Sequence, residues 1–229
     1  EISPRLGLIV KPQENISLYA SYSESFLPRS GGQYASLSND TEQLDPDIFE
    51  QAEIGLKWDF LDGLSLTAAY FENEQTRTQR TQDDEGFETA RGLKVDGFEV
   101  QLQGQVTDYW FVSAGYSNLS GETSSGAEPR ELPEQTFSVW NNFEVSDKLG
   151  FGIGATYQDE ALISDGSTRK LPSFTRVDAA AFYNISDDLR IQLNVENLTD
   201  EVYFPSSHST HQATVGAPLN AKVTISGRF

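Results

Sequence analysis

The sequence predicts an all-β protein: the wall of an antiparallel up-and-down transmembrane β-barrel, of about eleven strands. Three observations carry this. Apolar and polar residues alternate with a period of two along most of the chain, the pattern of strands with one apolar and one polar face. The connections between these strands alternate strictly between short and long. The aromatic residues on the apolar faces fall at two heights.

The strands begin at about Pro4. Ile16, Leu18, Ala20 and Tyr22 alternate with Ser17, Tyr19, Ser21 and Ser23. Leu64, Leu66, Ala68 and Tyr70 repeat the pattern, as do Phe98, Val100 and Leu102. Trp110, Val112, Ala114 and Tyr116 share one face of the next strand. Leu149, Phe151, Ile153, Ala155 and Tyr157 alternate with Gly150, Gly152, Gly154 and Thr156. Leu189, Ile191, Leu193 and Val195 precede a last strand with Ala221, Val223, Ile225 and Phe229 on one face. A slip of one residue would exchange the faces, so the pattern fixes register. The polar residues Glu99, Gln101, Gln103, Arg190, Gln192, Asn194 and Glu196 are expected to face the lumen.

The short connections are Pro12 to Asn15, Leu61 to Gly63, Thr107-Asp108, Ser146 to Lys148 and Ile185 to Asp188. Their Asp, Asn, Gly and Ser residues suit tight turns. The long ones run roughly Phe26 to Ile48, Glu72 to Arg91, Leu119 to Glu134, Gln158 to Pro172 and Thr199 to Pro218. Short turns on one side and long loops on the other are the outer-membrane barrel pattern. A Greek-key sandwich has no reason to keep that rhythm.

Trp58, Trp110, Phe143, Tyr183 and Phe229 sit on the apolar face near the short turns. Tyr22, Tyr70, Tyr116 and Tyr157 sit on it near the long loops. These read as two girdles, where amphipathic rings settle at the membrane–water interfaces. Three of the upper tyrosines lie six residues from an apolar residue near the strand's other end. That is about 20 Å of strand, most of a hydrophobic band about 25 Å tall. Eleven is odd, whereas bacterial single-chain barrels have even counts. The set is therefore expected to belong to a larger barrel, with the further strands N-terminal.

Composition narrows the function. The 229 residues carry 35 acidic and 16 basic side chains, a formal charge of −19. That excludes the basic footprint of a nucleic-acid binder. Aromatics at 11% and a 37% hydrophobic content exclude a disordered acidic tail. The absence of cysteine removes disulfide frameworks, thiol catalysis and Cys-ligated zinc. There is no methionine, so the chain is not expected to be an intact reading frame. No run of about 18 apolar residues could form a transmembrane helix. The mean hydropathy of −0.46 is compatible with alternating barrel strands.

Several segments carry a family resemblance. Asn194, Asn197, Leu198, Asp200 and Tyr203 reproduce an Asn-x-x-Asn-Leu-x-Asp-x-x-Tyr pattern. Ser21 to Phe26, Ala52 to Lys57 and Leu171 to Asp178 add further similarity. Together they resemble the C-terminal half of the barrel of a TonB-dependent siderophore receptor, across essentially the whole chain. The resemblance implies a barrel of about 22 strands, filled by an N-terminal plug and set in the outer membrane of a Gram-negative bacterium. It implies a ferric siderophore as transported ligand and TonB as partner, through an N-terminal region absent from this sequence. Outer-membrane lipid and lipopolysaccharide would surround the barrel. Phe229 would be the aromatic that the barrel assembly machinery reads.

The candidate chemistry is sparse. His208 and His211 form His-x-x-His in the last long connection. Such spacing suits a helix better than a loop, so they are read as solvated, and no metal ligand set or cofactor is expected. No Gly-x-Ser-x-Gly elbow accompanies a candidate triad, so no catalytic residue is assigned. The runs Asn39 to Asp47 and Asp83 to Glu85 lack EF-hand spacing and read as hydrated surface. Arg77, Arg80 and Arg91 suit anion contacts, to a ligand or to lipopolysaccharide phosphates. With Tyr34, Phe87 and Phe204 they make up the loop candidates for ligand contact. The expected function is ferric-siderophore uptake. The alternatives are a TonB-dependent receptor for a cobalamin, haem or an oligosaccharide, a diffusion porin, and a soluble β-sandwich adhesin.

Overall fold

In the computed structural model, residues 2–27, 46–80, 87–208 and 210–228 are described. They contain β1 (Arg5–Gln13), β2 (Ile16–Leu27), β3 (Asp47–Leu61), β4 (Leu64–Arg80) and β5 (Phe87–Thr107). β6 (Trp110–Thr123), β7 (Gln135–Glu144), β8 (Leu149–Gln158), β9 (Ala161–Leu162) and β10 (Lys170–Leu171) follow. β11 (Phe174–Ser186), β12 (Leu189–Glu196), β13 (Ser206–Ser207), β14 (Ala213–Thr214) and β15 (Asn220–Gly227) complete the order.

Eleven strands form one antiparallel sheet in the order β1-β2-β3-β4-β5-β6-β7-β8-β11-β12-β15. Each sheet strand pairs with its neighbour in sequence, the meander that the alternation predicts. Register places all the apolar faces on one side. Ile16 pairs Trp58, which pairs Leu66, which pairs Leu102. Further along, Phe143 pairs Phe151, which pairs Ala181, which pairs Leu193, which pairs Val223.

The short turns fall as expected. At the β3–β4 turn Gly63 takes φ 82°, where a side chain would strain the backbone. Its carbonyl receives the Gln105 amide at 2.8 Å, and the Gly104 backbone lies so close that a Cβ there would strike it.

One long connection differs from expectation. Most of Glu72 to Arg91 is strand: β4 has 17 residues and β5 has 21, paired from Leu64↔Gly104 to Arg80↔Phe87. Twenty-one residues span about 70 Å of strand, far more than the hydrophobic band. Beyond that band neither face need be apolar, so the period-two signal fades while backbone pairing continues. Arg77, Arg80, Phe87 and Arg91 therefore lie in strands, with only their backbone described. Two other long connections contain the short pairs β9–β10 and β13–β14.

The sheet is a single layer with no core of its own. Buried apolar side chains concentrate at the long-loop end, in Ala161, Leu162, Leu171, Phe174 and Tyr203. The apolar face is open instead: Leu18, Ile54, Phe98, Phe151, Ile153, Leu193 and Val223 are all exposed. β1 and β15 each pair on one side only among the described residues.

Candidate functional site

The polar face carries the groups able to meet a solute. Tyr19 donates to Glu53 Oε1 at 2.6 Å, and its ring covers Gly55. Gln101 reaches Gln103 at 3.5 Å, and Gln192 reaches Asn194 at 2.8 Å. Arg190 stacks 4.1 Å over the Phe182 ring. A recess of about 390 Å³ is lined by Tyr19, Glu53, Thr67, Glu99, Gln101 and Ser117. Its two carboxylates give it acidic character.

Sequence reasoning missed the aromatics of this face. Trp140 lies across Gly152 and Gly154, and Phe182 across Gly150, so closely that a Cβ on any of these glycines would overlap a ring. The signal was present in the Gly-x-Gly-x-Gly alternation of β8, whose empty side faces its neighbours' large rings. Gly152→Val is expected to displace Trp140 and cost about 1–3 kcal/mol through overpacking. The urea midpoint of the intact receptor would measure this; an unchanged midpoint would refute the packing argument.

On the apolar face the upper tyrosines share one arrangement. Tyr22 donates to Glu50 at 3.2 Å, Tyr70 to Asp96 at 3.2 Å, Tyr116 to Gln135 at 3.1 Å and Tyr157 to Asp159 at 3.3 Å. Each acceptor lies one same-face step nearer the loops. Each ring thus keeps an apolar body on the band and a polar tip above it. At the other end Trp110 and Phe143 stack at 5.9 Å, and Phe143 and Phe151 at 4.9 Å. Trp58 contacts Phe60 at 5.3 Å, and Tyr183 pairs with Leu149 and Ile191. Asn141, a polar residue within the band, accepts the Trp110 indole N–H at 3.0 Å.

The Asn-x-x-Asn-Leu-x-Asp-x-x-Tyr segment forms a clamp where β12 leaves the wall. Asn197 is 1% exposed. Its side chain donates to the carbonyls of Glu201 at 2.8 Å and Ala217 at 3.0 Å, and accepts the Glu201 amide at 2.9 Å. Its own amide donates to Asp178 Oδ1 at 2.8 Å. Asp200 accepts the Leu219 amide at 2.9 Å. Tyr203 packs on Phe174 at 4.7 Å and receives Arg176 Nη1 at 3.3 Å, while Arg176 pairs with Asp178 at 2.9 Å. Leu198 is exposed, its amide held by the Val177 carbonyl at 2.7 Å. Asn194 stays on the polar face, opposite Ala180 and Lys222.

At the long-loop ends of β6 and β8, a cavity of about 580 Å³ is lined by Glu122, Glu128, Glu134, Asp159, Glu160 and Lys170, among others. Lys170 pairs with Glu160 at 2.6 Å, a hydrogen bond that raises the ammonium's pKa above its usual value. Of the loop candidates, Phe204 is half-buried. Tyr34 and Phe229 lie outside the described residues, as do Asp83 to Glu85 and most of Asn39 to Asp47.

A single β-layer with a wide apolar outer face, a wet inner face and aromatic levels at both ends is the wall of a transmembrane β-barrel. Residues 1–198 match the family described as TonB dependent receptor-like, beta-barrel, and the chain belongs to that family. Membership places it in the outer membrane of a Gram-negative bacterium. Among its relatives, the probable TonB-dependent siderophore receptor PiuA of Acinetobacter baumannii is 32% identical over 251 residues, covering 100% of this chain and 34% of PiuA. The catecholate siderophore receptor Fiu of Escherichia coli K12 is 28% identical over 246 residues, covering 98% of this chain and 32% of Fiu. The crystal structure of the A. baumannii siderophore receptor PiuA superposes with a TM-score of 0.83 at 33% identity, over 96% of this chain and 35% of that one. The chain thus spans about a third of the length of the curated relatives it matches.

Proposed function

We propose that the whole protein is an outer-membrane receptor that takes up a ferric siderophore by TonB-dependent active transport. In this reading the present chain is the C-terminal portion of the barrel wall. One observation carries it: relatives named as siderophore receptors align over essentially the whole chain. The barrel assignment draws on strand direction. With eleven strands, β1 and β15 run the same way. Two copies in one membrane orientation would therefore meet through a parallel seam. An odd number of further antiparallel strands closes the wall and gives the even total of bacterial barrels.

The ligand enters from the long-loop side and passes the polar face. Tyr34 and Phe204, with Arg77, Arg80 and Phe87 at the far ends of β4 and β5, are the contacts assigned to it, and Tyr19, Glu53 and Glu99 border its path along the wall. The acidic lining of the loop-end cavity disfavours a strongly anionic chelate at that point. TonB acts through a region outside this chain. Lipid and lipopolysaccharide surround the two aromatic levels, and the assembly machinery reads Phe229. The chelate is moved intact, so no catalytic residue or cofactor is assigned.

The test is uptake of radiolabelled iron by iron-starved cells, supplied as catecholate, hydroxamate and mixed chelates. Deleting the gene is expected to abolish uptake of one class, and deleting TonB to do the same. Unchanged uptake of every chelate in the gene deletion would overturn the reading.

A further inference from the structure

A His-x-x-His pair outside a helix normally makes a poor chelate, because a helical turn is what holds such side chains together. The last long connection reaches the same result with a hairpin. β13 and β14 pair Ser206 with Thr214 and Ser207 with Ala213, and the His208 amide donates to the Gln212 carbonyl at 2.7 Å. This pairing brings His208 Nδ1 to 3.0 Å from His211 Nε2. The rings lie 4.9 Å apart at 82°, and both histidines are exposed. The tip is also anchored. The Ser207 amide donates to Glu131 Oε1 at 2.6 Å, and Ser207 Oγ to the Ile163 carbonyl at 3.4 Å.

We propose that His208 and His211 form a surface chelate for a divalent transition-metal ion of the copper(II) type. The donor set carries the choice of metal. Two imidazole nitrogens each about 2.0–2.1 Å from one ion stand about 2.9–3.4 Å apart between right-angled and tetrahedral coordination, so rings held at 3.0 Å can share one ion once they turn toward it. Imidazole nitrogens completed by water oxygens suit copper(II) or nickel(II), and copper(II) leads the divalent series in affinity. Among the described residues no third His, Cys, Asp or Glu completes a metal cluster with them. The remaining corners therefore go to water or to donors of an arriving molecule. Without metal, one ring N–H donates to the other ring's lone pair. On binding, that proton leaves its nitrogen and one is taken up on the far nitrogen of the same ring. Both lone pairs then converge on the ion, and a neutral pair loses no net proton.

The experiment uses the intact receptor, free of any polyhistidine tag, in detergent, titrated with copper(II) and followed by electron paramagnetic resonance. The expected result is one ion per receptor with couplings from two imidazole nitrogens. His208→Ala and His211→Ala should each weaken binding at least tenfold, and zinc(II) should bind more weakly than copper(II). His208→Gln, which keeps a polar side chain at the tip, should lose copper to the same extent, and heat-modifiable migration would verify the fold of each variant. Copper binding that survives either substitution in a folded variant, or zinc(II) binding more tightly than copper(II), would overturn the proposal.

Discussion

Asn197→Ala is expected to destabilise the intact receptor by about 4–6 kcal/mol. Asn197 is buried and its side chain makes three hydrogen bonds to backbone groups. Alanine strands two carbonyls and one amide, at about 1–3 kcal/mol for each buried group left unpaired, and the terms are coupled rather than additive. The backbone adds a second cost. Asn197 sits at φ 53°, a left-handed conformation that asparagine tolerates and alanine enters at about 1–2 kcal/mol. Two further substitutions separate these causes. Asn197→Gly removes the strain and keeps the hydrogen-bond loss, so it should be the milder change by about that amount. Asn197→Asp keeps the acceptor for the Glu201 amide but turns a carboxylate oxygen on the carbonyls of Glu201 and Ala217, so it should be as damaging as alanine. Urea midpoints and the heat-modifiable fraction in outer membranes are the readouts. An alanine variant within about 0.5 kcal/mol of the native protein would show that the clamp is not what holds β12, β11 and β15 together.

What could be read from the sequence follows from where each signal arises. Residues in the membrane band are sorted by lipid on one side and water on the other. Leu64 to Tyr70 and Leu149 to Tyr157 therefore show their strands, faces and turns directly. Above the band both faces meet water, and the sorting stops. That is why the upper half of the β4–β5 hairpin read as loop although its ladder runs on to Arg80↔Phe87. The clamp was visible as a pattern but not as a mechanism. Asn197 depends on Asp178 and Ala217, nineteen and twenty residues away, and no local periodicity joins them. The inner aromatics escaped for a related reason. Trp140 belongs on a polar face only because β8 supplies glycines beneath it. The histidine pair was legible as His-x-x-His, but its ring contact was not, because a hairpin rather than a helix brings the rings together.

Adjacent residues on β4 give the sharpest expected contrast in the wall. Ala68 pairs with Leu56 and Val100 on the apolar face, between the levels of Trp58 and Tyr70. Thr67, one residue before it, pairs with Lys57 and Gln101 and lines the inner recess beside Glu53 and Glu99. Arginine at an outward position near the bilayer midplane costs a barrel about 2–4 kcal/mol. Ala68→Arg is therefore expected to lower stability by about that amount, measured by reversible unfolding of the intact receptor in lipid. Thr67→Arg places the same side chain in water, with two carboxylates lining the same recess, and is expected to change stability by less than about 1 kcal/mol. Both variants introduce the same arginine at adjacent positions on opposite faces. β-Propensity works against the expected order, since arginine replaces a strong strand former at Thr67 and a weak one at Ala68. If Thr67→Arg proved the costly one, the lipid and lumen faces of the sheet would have to be exchanged. Register would carry that exchange through all eleven strands, and the two outer levels of aromatics would face the lumen instead.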